Sequence, residues 1–138
     1  MTKQVNPEVA YKKGLYYLKG EGEGKSLEKA RECFEEAASL GSEQALFELG
    51  EMYWWGKPGK DVKKAIHYYE LAADKDDKDA QHALGFAYQY GHGVEVDLDK
   101  AIDLLMKAAL QGQKEAQNRI GNAYRSGEGL RQNHTAAY

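Results

Sequence analysis

The sequence predicts an all-α fold, a solenoid of stacked helical hairpins, and three observations carry that expectation. A glycine followed three residues later by a tyrosine recurs as Gly14/Tyr17, Gly50/Tyr53, Gly85/Tyr88 and Gly121/Tyr124, at intervals of 36, 35 and 36 residues. A second glycine follows each tyrosine at Gly20, Gly56, Gly91 and Gly127, and an alanine recurs at Ala30, Ala65, Ala101 and Ala137. The chain holds only 2 prolines in 138 residues, so long helices face few interruptions. A fixed period of this length marks a tandem array whose units must stack to bury their apolar faces. The repeats fall at about 6–41, 42–76, 77–112 and a partial 113–138, forming one array over 1–138.

Each repeat divides into two helices. The first begins near Val9, Ala45, Ala80 and Ala116, three residues after Asn6, Ser42, Asp77 and Gln113. Asn, Ser and Asp are favoured N-caps because their side chains accept from orphan N–H groups; glutamine is not of that class. Pro7 suits the first helical position, where its missing N–H costs nothing. Glycine-rich turns such as Gly20-Glu21-Gly22 and Gly91-His92-Gly93 follow, and the second repeat has a loop one residue shorter with Gly56-Lys57-Pro58. The second helix is capped by Ser26, Asp61, Asp97 and Asn133, and it closes near Gly41 and Gly112. Paired alanines at 37–38, 72–73 and 108–109 permit close helix approach. Phe34, Leu49, Tyr53, Tyr69, Leu84, Tyr88 and Leu105 are the expected filling, each worth roughly 1.5–3 kcal/mol when buried.

Composition excludes several classes. Nineteen Lys+Arg against 22 Asp+Glu give a formal charge of −3, which leaves no basic excess for phosphate neutralisation, so nucleic acid is not an expected partner. The single cysteine, Cys33, cannot form an intramolecular disulfide and is read as core packing. No signal peptide opens the chain and no apolar run approaches a membrane span, so a soluble, cytoplasmic protein without membrane insertion is expected. The fourth repeat stops one residue after Ala137, which points to a fragment of a longer chain and to self-association through an incomplete end.

Taken together, these residues resemble the Sel1-like repeat family. Its pattern, roughly A-x-x-x-L-G-x-x-Y-x-x-G-x-G, then D-x-x-K-A and A-A-x-x-G, is met by Ala80, Leu84-Gly85, Tyr88, Gly91, Gly93, Asp97, Lys100-Ala101, Ala108-Ala109 and Gly112. The first repeat departs from it with Val9 and Lys13, as an N-terminal cap with a wetter face would. The tetratricopeptide repeat is the related alternative, but its period is 34 and it lacks the G-x-G turn. The resemblance implies a right-handed solenoid and a non-catalytic protein-interaction scaffold or adaptor.

Motifs that would carry chemistry are weak. Gly24-Lys25-Ser26 ends like a P-loop, but Lys19 stands where that motif needs glycine. Ser26-Leu27-Glu28-Lys29 spells the S-x-x-K of penicillin-recognising enzymes, so a repeat-borne hydrolase or penicillin-binding activity is the alternative function. The equivalent positions in later repeats are Asp61…Lys64 and Asp97…Lys100, and no S-D-N or K-T-G partner motif occurs, so no catalytic residue is assigned. His67, His82, His92 and His134 have no metal-ligand spacing, so neither metal nor cofactor is expected. The run Asp74-Lys75-Asp76-Asp77-Lys78-Asp79 reads as a solvated turn, with an acidic docking knob as its other reading.

The candidate site lies on first-helix residues that the repeat does not need for its core. Positions three before, one after and four after each marker glycine give Tyr11, Leu15 and Leu18; Phe47, Glu51 and Trp54; His82, Phe86 and Gln89; and Asn118, Asn122 and Arg125. These spacings put each trio on one helical face. The resemblance to helical-hairpin solenoids implies that this face lines a concave groove. Packing between repeats is the competing use of Tyr11, Phe47 and Phe86. An apolar middle with the Trp54-Trp55 pair and Arg125 at one end suits an extended peptide or a helix of a protein partner.

Overall fold

The structure is a computed structural model that describes residues 6–20, 26–56 and 59–126. Among the described residues there are seven α-helices and no strand: α1 (Pro7–Lys19), α2 (Leu27–Ser39), α3 (Glu43–Trp55), α4 (Val62–Asp74), α5 (Lys78–Tyr90), α6 (Leu98–Leu110) and α7 (Lys114–Ser126). The chain forms two compact halves, Met1–Tyr68 and Tyr69–Tyr138.

Local chemistry sets the helix boundaries. Asn6 accepts from the backbone N–H of Glu8 at 2.7 Å, Ser42 from Ala45 at 3.1 Å and Asp77 from Ala80 at 2.9 Å. Gln113 does the same work despite its type, its Oε1 accepting from the Ala116 N–H at 2.7 Å. At the second helices Ser26, Asp61 and Asp97 accept from Lys29, Lys64 and Lys100 at 3.2, 3.0 and 3.1 Å. Asn133, Ala137 and Gly127 lie outside the described residues.

Consecutive repeats are joined by one hydrogen-bond pattern. The N–H of Ser42, Asp77 and Gln113 reaches back to the carbonyls of Ala37, Ala72 and Ala108 at 3.0, 3.1 and 3.0 Å. The preceding residue in each case, Gly41, Asp76 or Gly112, donates to Ala38, Ala73 or Ala109 at 2.9 Å. This is the paired closure of a Schellman C-cap. Its last residue is also the N-cap of the next helix, so no slack remains between repeats. The closure needs a left-handed residue, and Gly41 and Gly112 supply it with φ of 104° and 90°. Asp76 takes the same role at φ 66°, without the freedom of a glycine.

The turns within repeats are tied differently. The N–H of Ser26, Asp61 and Asp97 donates to the carbonyl of the marker tyrosines Tyr17, Tyr53 and Tyr88 at 3.1, 2.9 and 3.0 Å. The shorter second loop therefore closes on the same atom, which makes the missing residue tolerable.

All seven side chains expected to fill the layer are buried, with Phe34, Leu49 and Tyr69 almost fully so. Two of the marker glycines, Gly14 and Gly85, serve the hairpin to which they belong. A Cβ on Gly14 would lie 2.5 Å from Phe34 Cε1, and one on Gly85 would lie 2.9 Å from Leu105 Cγ. Phe34 and Leu105 occupy the same repeat position on the following second helix.

Candidate functional site

The marker tyrosine ring is a repeated polar junction. Lys29 Nζ sits 5.6 Å from the Tyr17 ring centre, Lys64 Nζ 5.1 Å from Tyr53 and Lys100 Nζ 4.8 Å from Tyr88. The Tyr53 hydroxyl donates to Glu35 at 3.3 Å, and the Tyr88 hydroxyl to Glu70 at 3.2 Å, both eighteen residues upstream. The same offset from Tyr124 falls on Met106, so the carboxylate position is not kept there. Hydrogen bonding to Tyr88, ahead of its charge, raises the Lys100 pKa. These contacts account for the S-x-x-K spelling: Ser26 caps α2, and Lys29 lies over an aromatic face.

In the first half, Tyr11 packs its ring against Phe34 at 5.7 Å, a contact within its own repeat and not the between-repeat packing expected as its competing use. Leu15, Leu18, Phe47, Glu51 and Trp54 are all half-buried on α1 and α3. Trp55 is 64% exposed, and its indole N–H donates to Glu51 at 3.3 Å. Spacing put Trp54 on the candidate face, and the neighbouring tryptophan is the more open of the two. Further along, Tyr68 stacks on Tyr53 with centroids 5.8 Å apart and planes 6° from parallel. Burial first, then the Glu35 charge, raises the Tyr68 pKa.

The second half holds a denser constellation. Arg119 on α7 donates Nε–H to His82 Nε2 on α5 at 3.1 Å. Its guanidinium carbon lies 4.4 Å from the Phe86 ring centre and 6.0 Å from that of Tyr90. Phe86 also contacts Tyr90 at 5.0 Å and stacks with His92 at 5.4 Å. His82 must be neutral at Nε2 to accept. Burial, and then the Arg119 charge, push its pKa below the ordinary value of 6.5 against the smaller pull of Glu115 and Asp79. Gln89, one turn beyond Phe86, carries a buried Oε1 with no hydrogen-bond partner among the described residues. Asn118, Asn122 and Arg125 are exposed on α7, and Arg125 donates to Asn122.

Three of these residues escaped sequence reasoning. Arg119 stands two before its marker glycine, where the other repeats have Lys12, Glu48 and Ala83, so no periodic signal marks it. Tyr90 shares the last first-helix position with Trp55, a coincidence the repeat alignment could have revealed. His92 lies in the turn and has no counterpart spacing. Fully buried Gln81 was also missed. Its side-chain oxygen accepts from Gln111 at 2.9 Å, while Gln113 reaches Asp79 at 3.3 Å and Glu115 at 2.8 Å. A buried amide needs such partners.

Cys33 differs from expectation. It is half-buried rather than core, as are Tyr68 and Leu104 at the same repeat position, and burial raises its thiol pKa. Of the acidic run, Asp76 forms the closing turn and Asp77 the cap, while Asp74 and Lys75 are exposed. Gly24 and Lys25 lie outside the described residues. Among the described residues no three His, Cys, Asp or Glu side chains converge as a metal site, and no helix is long and apolar enough to cross a membrane.

Helical hairpins of one repeated design, closed by the same caps, define an α-solenoid of helix-turn-helix repeats. The chain belongs to the Sel1 repeat family, which it matches at residues 7–42, 43–77, 78–113 and 114–138. It is 33% identical over 88 residues to protein sel-1 homolog 2 of Homo sapiens, covering 63% of this chain and 13% of that protein. It is 35% identical over 95 residues to chitin synthase regulatory factor 1 of Schizosaccharomyces pombe, covering 63% of this chain and 21% of that one. The chain thus spans a small part of these relatives. Among solved structures, a Sel1 repeat protein from Oxalobacter formigenes matches with TM-score 0.84 at 33% identity, over 90% of this chain and 51% of that one. A protective antigen of uropathogenic Escherichia coli with an SLR fold matches with TM-score 0.86 at 33% identity, over 90% of this chain and 27% of that one.

Proposed function

We propose that the chain is a non-catalytic protein-interaction module, an adaptor that holds segments of a partner protein on the faces of its first helices. In the first half that face comprises Leu15, Leu18, Phe47, Glu51 and Trp54, with Tyr11 at its edge; in the second half it comprises His82, Phe86, Gln89, Asn118, Asn122 and Arg125. The observation that carries the reading is the presence, in both halves, of an accessible aromatic at the end of a first helix. Trp55 and Tyr90 are 64% and 50% exposed, each beside half-buried aromatics and polar side chains. Tryptophan and tyrosine bind through large area at small entropic cost, and they dominate interaction hot spots. A relative named as a regulatory factor of chitin synthase is named for acting on another protein, which supports the same reading.

The test is a pull-down with wild type beside Trp54→Ala and Trp55→Ala, with thermal melts of all three. Loss of the captured protein by at least about tenfold, corresponding to 1.4 kcal/mol, is expected for each variant with the fold retained. If both variants bind as wild type does, the first-helix face is not the binding surface.

A further inference from the structure

Arg119 is the cation in the second half whose surroundings call for a partner. Its Nε–H is taken by His82 and its guanidinium carbon lies over the Phe86 ring, so the group is held in one place by two contacts. No carboxylate among the described residues pairs with it, and its terminal nitrogens have no acceptor there. Here the nearby acids engage elsewhere: Asp79 and Glu115 both accept from Gln113.

A planar guanidinium held over an aromatic ring and tied at Nε is pre-organised to receive a carboxylate through its remaining N–H groups. The half-buried setting weakens solvent screening, so such a pair gains more here than on open surface. Beside it, exposed Tyr90 and His92 offer flat apolar area for a residue adjoining the carboxylate. The chain as a whole is acidic, with a formal charge of −3, so Arg119 is a point of recognition and not part of a basic field for a phosphate backbone.

We propose that Arg119, supported by His82 and Phe86, is the specificity-determining residue of the second half, and that it recognises an Asp or Glu side chain flanked by an apolar residue in a segment of the partner protein. The proposal rests on the interaction-module reading. His82 and Phe86 act through Arg119 as positioning residues. The carboxylate selects and the aromatic surface fixes the flanking side chain.

Selection of a phage-displayed library of random dodecapeptides against the wild-type chain tests it. The enriched peptides should share an Asp or Glu next to an aliphatic or aromatic residue. Measured by fluorescence anisotropy, the leading peptide should lose at least about tenfold in affinity on Arg119→Gln. Arg119→Lys, which keeps charge but loses the plane and the fork, should fall between the two. Replacing the peptide's acid with its amide should cause the same loss on wild type and little further loss on Arg119→Gln, the signature of a direct pair. Thermal melts should show both variants folded at the temperature of the binding assay. Enriched peptides without an acid, or undiminished binding by Arg119→Gln, would overturn this inference while leaving an interaction module in place. A library yielding no binder at all would overturn the module reading and the inference with it.

Discussion

Replacing Gly85 with alanine sets two opposing effects against each other. Gly85 lies inside α5, where alanine is favoured over glycine by about 1 kcal/mol through backbone entropy alone. The new Cβ, however, would stand 2.9 Å from Leu105 Cγ, 3.0 Å from its Cδ2 and 3.3 Å from the Ala101 carbonyl oxygen. Restoring ordinary contact at about 3.6 Å requires a shift of about 0.7 Å. Leu105 is only 4% exposed and Ala101 is a close helix contact, so neither side yields freely. Overpacking of this kind costs typically 1–3 kcal/mol, which leaves a net loss of about 1 kcal/mol. Gly14→Ala should lose more, about 2 kcal/mol, because its Cβ would meet rigid ring carbons of Phe34 at 2.5 and 2.6 Å. At Gly121 no described atom lies within 4 Å, so propensity alone acts and alanine should gain about 0.5–1 kcal/mol. Urea unfolding followed by circular dichroism reads the order. With a slope of about 2 kcal/mol/M, each 1 kcal/mol moves the midpoint by about 0.5 M. The expected sequence of midpoints is Gly14→Ala lowest, then Gly85→Ala, wild type and Gly121→Ala. A Gly85→Ala midpoint equal to that of Gly121→Ala would refute the close-contact account.

Asp76→Gly should stabilise the chain by about 0.5–1 kcal/mol, since Asp76 holds φ 66° where Gly41 and Gly112 serve the other repeats; a midpoint unmoved or lowered counts against this. Ser26→Ala should cost roughly 0.5–2 kcal/mol through the lost α2 cap, and intact-mass analysis after incubation with a penicillin should show no acyl adduct on either protein. Stability should also fall with acidity in a way assignable to His82. Its folded pKa is lowered, first by burial and then by Arg119, so between that value and 6.5 the unfolded chain binds more protons. The stabilisation is complete above about 6.5 and is lost as pH falls from there towards the folded value. His82→Asn should flatten that part of the melting profile, and an unchanged slope would remove His82 from the account.

The local architecture of this protein is legible in its sequence because the interactions that set it are short. Each helix start rests on a side chain bonding a backbone N–H two or three residues on, and each closure rests on bonds spanning three to five residues. The repeat of Gly, Tyr and Ala then fixes which faces are buried, so Phe34, Tyr69 and Leu105 could be placed from spacing alone. What sequence left open depends on residues outside the period. Gln113 caps α7 although its type is not a favoured one, because its longer side chain still brings Oε1 to the Ala116 N–H. Trp54 and Trp55 are adjacent in sequence, and only the packed helix makes the second the exposed one. Arg119 and His82 meet across 37 residues, at positions no other repeat fills alike. Periodicity specifies contacts that recur in every hairpin; a side chain that occurs once is placed by whichever helices the fold brings beside it, and that is a property of the tertiary structure.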